Sequence, residues 1–142
     1  MRCRVGRPTS TSPGRNLALP LVFVALGGAA GAITRYLVDT WISERAGGTF
    51  PWGTLVVNVS GSFALGLLFA LAIERGVLPA SVRGPLLIGF IGAYTTFSTL
   101  MLESWRLIED GAVVPGLANL IGSSVIGMVA LIGGLLIGRT LA

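Results

Sequence analysis

The stretch "GAYTTFSTL", residues 92–100, puts five hydroxyls (Tyr94, Thr95, Thr96, Ser98 and Thr99) into six consecutive positions. Apolar sequence flanks it on both sides, from Pro85 to Phe90 and from Leu100 to Leu102. Its meaning depends on the solvent around the flanking run. In water such a cluster is ordinary surface. In lipid it lies where every polar group needs a protein or ligand partner, so it marks a break in the helix, a pathway, or both.

Composition decides for lipid. The chain has 142 residues, of which 53% are hydrophobic and 11% charged, and its mean hydropathy is +0.84. A soluble domain carries roughly 25% charged residues, more than twice this share. The basic residues are all Arg, and four of them (Arg2, Arg4, Arg7 and Arg15) lie in the first fifteen residues and account for the whole net charge of +4. The high isoelectric point therefore belongs to a tail and does not signal a nucleic-acid surface. There is no His, and the single Cys, Cys3, lies in the same tail. A disulfide framework or a thiolate metal site is excluded. The six carboxylates sit at segment ends, which argues against an enzyme.

Residues 1–16, rich in Arg, Pro, Ser and Thr, read as a disordered tail. The four-helix part, 17–142, follows, with four apolar spans at about 17–41, 52–73, 84–108 and 113–137. Each can cross a hydrocarbon core, which takes about 20 residues of helix. The first span is too long for the ~7–15 apolar residues of a cleaved signal and is read as retained. The loops between spans are short, so successive spans are expected to be antiparallel neighbours. Small residues recur four apart, as in Gly27/Gly31, Ser62/Gly66 and Gly134/Gly138. That spacing allows close approach of helices in lipid.

Polar residues recur inside these spans. Thr54, Asn58 and Ser62 share one face of the second span at i, i+4 and i+8. Asn119 and Ser123 repeat the spacing in the fourth, and Glu103 follows Thr99 by four in the third. At 1.5 Å per residue, Thr95 lies ~17 Å into its span, near the midplane. Ser60, Ser124 and Thr54 are each expected to bond back to their own helix. Asn58 is different, because an amide has more donors and acceptors than one helix can satisfy. Arg35 and Glu103 could neutralise each other at one membrane face or could set the electrostatics of a vestibule, with Arg106 a competing partner for Glu103. Hydroxyl and amide donors with no midplane acid suit an anion, and the positive edge of the Phe97 ring suits one too. The chemistry alone does not choose the ion.

"GGAAGAITRY" (27–36), "FPWGTLVVNVSGSFALG" (50–66), "GAYTTFSTLMLE" (92–103) and "NLIGSSVIG" (119–127) together resemble the CrcB/Fluc family of fluoride channels. The resemblance runs through all four spans in order. It implies an all-α membrane protein of four transmembrane helices, the third broken near its middle, working as an antiparallel dimer in the bacterial plasma membrane. It implies passive export of cytoplasmic fluoride along Asn58, Thr96, Phe97, Ser98, Thr99 and Ser123, with Arg35 and Glu103 at the vestibule. It also implies a structural sodium ion (Na+) at the dimer centre, held by the backbone carbonyls of Gly92 and Thr95, with Gly92 permitting the bend. Two positions depart from the family pattern: Leu100 stands where a second Phe is usual, and Asn119 where a pore Tyr is usual.

Charge placement bears on the partner. With the N-terminus cytoplasmic, that side carries seven Arg, and the other side carries Arg45 and Arg106. Such a bias fixes one orientation, whereas an antiparallel homodimer requires dual topology. A heterodimer with an oppositely oriented homologous subunit is therefore expected, although the count without the tail is three to two. The alternative functions are a small multidrug-resistance-type proton-coupled antiporter, for which the first span lacks an acid before Asp39, and a structural tetraspan protein without transport.

Overall fold

The computed structural model describes residues 18–141, so the expected tail, 1–16, lies outside the described residues. Four long apolar helices run Ala18–Ala46, Trp52–Glu74, Ser81–Glu109 and Val113–Thr140. The expected spans are recovered, and three of the four are extended by a turn or less at an end. The first overruns its expected end by five residues. The third span is not one rod. Its first half ends at Tyr94 and its second runs Phe97–Glu109, so the break falls midway, as expected.

Two features within the spans were not foreseen. The second span ends in a π-helical turn, Ala70–Glu74, and the first half of the third is π-helical over Gly84–Ile91. Such wide turns often accompany functional irregularities in helices.

The second and fourth helices pack most closely, followed by the first helix against the first half of the third. Small residues make both contacts possible. A Cβ built on Gly66 would run into the Leu131 carbonyl, and one on Gly134 into the Phe63 carbonyl. The first helix meets the third in the same way, through Gly27 and Gly31 against the backbone of Pro85 and Phe90. At one end of the bundle, Arg139 grips Glu74 with two charge-assisted bonds of 2.6 and 2.7 Å.

The buried core is thin: Val57, Ala70, Ala72, Ile91, Leu100 and Leu107. Leu, Ile, Val and Phe side chains cover the outside of all four spans, as expected where hydrocarbon is the solvent. Gly134→Leu should drive the second and fourth helices apart and destabilise the protein by about 3 kcal/mol. Gly133→Leu, whose Cβ would meet nothing within 4 Å, should leave thermal stability in detergent unchanged.

Candidate functional site

The break in the third span lies at Thr95 and Thr96. Thr95 (φ −77°, ψ 156°) and Thr96 (φ −147°, ψ 112°) are extended, a conformation that β-branched residues accept readily. Gly92 does not make the bend. It is ordinary helix (φ −63°, ψ −32°), and a Cβ there would meet only the Leu87 carbonyl, at 3.8 Å. The glycine that the break needs is Gly61 on the second span, where a Cβ would collide with the Thr95 methyl.

Asn58 replaces the backbone bonds lost at the break. The Thr96 N–H donates to Asn58 Oδ1 at 2.7 Å, and Asn58 Nδ2 donates to the Thr96 carbonyl at 2.9 Å. One side chain thus satisfies a donor and an acceptor that lipid would leave bare. Thr96 also caps the second half of the span. Its Oγ1 accepts from the Thr99 N–H at 3.4 Å and donates to Thr99 Oγ1 at 2.8 Å. The Thr96 hydroxyl is therefore committed to capping. The Phe97 and Ser98 N–H groups at the same helix start meet no backbone carbonyl among the described residues. They carry the partial positive charge of a helix N-terminus.

A groove of about 290 Å³ opens at the break, lined by Asn58, Ser62, Thr95, Thr96, Phe97, Ser123 and Ser124 and by apolar Leu100, Gly127, Met128 and Leu131. It gathers Asn58, Thr96, Phe97 and Ser123 from the sequence reading and adds Ser62 and Ser124. Ser98, which is exposed, and Thr99 are not part of its lining. Phe97 is 71% exposed beside the groove, while Leu100, in the place of a second Phe, is buried. Asn58 keeps a second amide N–H beyond the one given to Thr96.

Arg35 and Glu103 are not brought together. Glu103 Oε1 accepts from Thr54 Oγ1 at 3.0 Å, and its buried Oε2 has no partner. Thr54 therefore bonds across to the third span and not back to its own helix. Ser60 and Ser124 do bond back, at 2.7 Å each. Arg35 makes no hydrogen bond or ion pair among the described residues, and Arg106 none with Glu103. Neither residue lines the groove. Of the two readings of Arg35 and Glu103, mutual neutralisation is not what the structure shows: Glu103 bonds to Thr54, and no ion pair joins it to Arg35 among the described residues.

Asn119 is fully buried. Its Nδ2 donates to Ser104 Oγ at 3.0 Å, and Ser123 Oγ donates to its Oδ1 at 3.2 Å. The sequence places Asn119 beside Ser123 on one face of the fourth span and as a departure from the family pattern, but does not single out Ser104. The available signal was the i, i+4 pair Asn119/Ser123 with a serine on the neighbouring helix.

Comparison with known proteins extends this picture. Residues 22–135 match the family described as "CrcB-like protein, Camphor Resistance (CrcB)". A "Fluoride-specific ion channel FluC" of Hahella chejuensis is 44% identical over 119 residues, covering 84% of this chain and 94% of the relative. A protein of the same description from Solidesulfovibrio magneticus is 45% identical over 119 residues, covering 84% and 95%. "Fluoride-specific ion channel FluC 1" of Nitrobacter hamburgensis is 45% identical over 121 residues, covering 85% and 96%. The matched region takes in the Thr95–Thr96 break and the greater part of all four helices, and this chain belongs to the CrcB family.

Proposed function

We propose that the protein is a subunit of a passive, fluoride-selective channel that lets cytoplasmic fluoride leave across the bacterial plasma membrane and so confers fluoride resistance. The observation that carries this reading is the groove at the broken third helix. It gathers amide and hydroxyl groups beside the unpaired N–H groups of a helix start, halfway across a bilayer-spanning bundle. Fluoride is small and tightly hydrated. Short, closely spaced donors can replace its water, and a site that binds weakly at several points lets it leave again. Proton-coupled antiport finds no support, since Asp39 sits near the end of its span and accepts a bond from Ser43.

A polar groove open to lipid is unfavourable, and so is a bare break. A second, antiparallel subunit covering the groove and the exposed Phe97 ring resolves both. Sodium fits the same picture. The Thr96 N–H that would have closed on the Gly92 carbonyl goes to Asn58, and the Thr99 N–H that would have closed on the Thr95 carbonyl goes to Thr96. Both freed carbonyls are hard oxygen ligands suited to a hard cation. Two are too few to enclose an ion, so the corresponding pair of the partner is needed. A sodium ion there would supply a fixed positive charge that offsets carbonyl dipoles at midplane.

The partner we favour is a homologous subunit of opposite orientation. Arg75, Arg83 and Arg139 lie at the end where the first helix begins and the last one ends, and four more Arg precede that first helix in the sequence. Reporter fusions at either terminus should find both cytoplasmic, in a single orientation. Chains inserted both ways would restore the homodimer. Deleting the gene from its host should make growth markedly more fluoride-sensitive, and unchanged tolerance would overturn the channel reading.

A further inference from the structure

We propose that Ser104 and Asn119 are positioning residues that hold the Ser123 proton away from the groove and thereby weaken the anion contact at Ser123 enough for flux. The inference rests on the groove being the fluoride path.

The proton order follows from what each atom can do. A backbone carbonyl only accepts, so the Ser104 hydroxyl, 2.7 Å from the Leu100 carbonyl, must donate its single proton there. Ser104 Oγ can then only accept from Asn119. The amide must turn Nδ2 toward Ser104, at 3.0 Å, because its oxygen would face another oxygen without a proton between them. That turns Oδ1 toward Ser123, 3.2 Å away, and Oδ1 only accepts. Ser123 must therefore give it the proton. All three side chains are buried, at 2%, 0% and 4% exposure for Ser104, Asn119 and Ser123, and Ser104 and Asn119 lie outside the groove, so the order of their protons is set by one another.

Of the three, only Ser123 lines the groove. At rest it turns oxygen lone pairs, not a proton, toward an arriving anion. To bind the anion, its hydroxyl must rotate off Asn119. The resting bond is long for a hydroxyl donor, whose usual distance is about 2.7–2.8 Å, so rotation is easy. It leaves Asn119 Oδ1 buried without a donor, which favours return once the anion moves on. Ser123 is thus a two-position donor, with Asn119 as the competing acceptor. A pathway conducts when binding suffices for entry and is weak enough for exit, and this competition lowers binding at one point along it.

The test is the fluoride dependence of efflux from liposomes carrying the complex purified through a tag on this chain. Ser104→Ala removes one buried oxygen outside the groove and frees the Asn119 amide to flip and donate to Ser123. The Ser123 proton then faces the groove. The half-saturating fluoride concentration should fall several-fold, and the maximal rate should fall with it. Asn119→Leu should shift half-saturation in the same direction. In a Ser123→Ala background neither change should move half-saturation further, since the rotor is gone. A purely structural role would lower the amount of active protein and the maximal rate but leave half-saturation unchanged. That result, or a shift that persists without Ser123, overturns the proposal. Absence of fluoride efflux from the unmodified complex would instead overturn the fluoride path itself, and this inference with it.

Discussion

Asn58→Asp should reduce fluoride efflux by at least about 100-fold, as about 3 kcal/mol is added to the barrier. Asn58 does two things at once. It accepts the Thr96 N–H at 2.7 Å and donates to the Thr96 carbonyl at 2.9 Å. A carboxylate can keep the first bond but not the second. It would set a negative oxygen against the carbonyl, and losing one partner of a part-buried bond costs about 1–3 kcal/mol. The amide N–H left over for the groove would also go, and a fixed negative charge would stand in an anion's path. Flux measured on purified complex, normalised to folded protein, checks this. An unchanged rate would show that neither the clamp at the break nor the amide is needed.

The second large effect concerns assembly. This chain reconstituted alone should leave liposomes full of fluoride, whereas the complex purified from its host through a tag on this chain should empty them. On the proposed arrangement, one chain supplies half of what the break requires. Its groove is open, Phe97 is 71% exposed beside it, and the Gly92 and Thr95 carbonyls have lost the N–H groups that helix would have given them, to Asn58 and Thr96. A second copy could complete the site only if the chain inserted in both orientations, and the arginines oppose that. Fluoride efflux from liposomes holding this chain alone would establish an antiparallel homodimer.

The four spans were legible because a bilayer-spanning helix needs only length and apolar composition, and both are properties of contiguous sequence. The break was legible to within a few residues, from hydroxyls packed where lipid allows none unpaired. What the sequence suggests wrongly is the residue that permits it: Gly92, because glycine is the habitual sign of a bend. Two successive β-branched threonines take the extended backbone more easily, and the glycine that matters, Gly61, lies on a different helix. The role of Asn58 was half legible: an amide at depth must have partners, but their identity as the Thr96 backbone depends on register between helices. The Thr54–Glu103 bond depends on the same register, between residues 49 positions apart. No local pattern encodes such a pairing. Asn119 is legible as a neighbour of Ser123 on one helix face and as an unexpected residue type, but its bond to Ser104 appears only once two helices are set side by side.

Whether the groove at the broken helix carries fluoride is tested most directly by electrode recordings from liposomes bearing the tagged complex. The liposomes are loaded in turn with potassium fluoride and potassium chloride, and the counter-flow of potassium is allowed by an ionophore. Fluoride should leave as soon as the ionophore is added while chloride stays inside; retention of both ions, or release of both at similar rates, would contradict a fluoride path built from these donors.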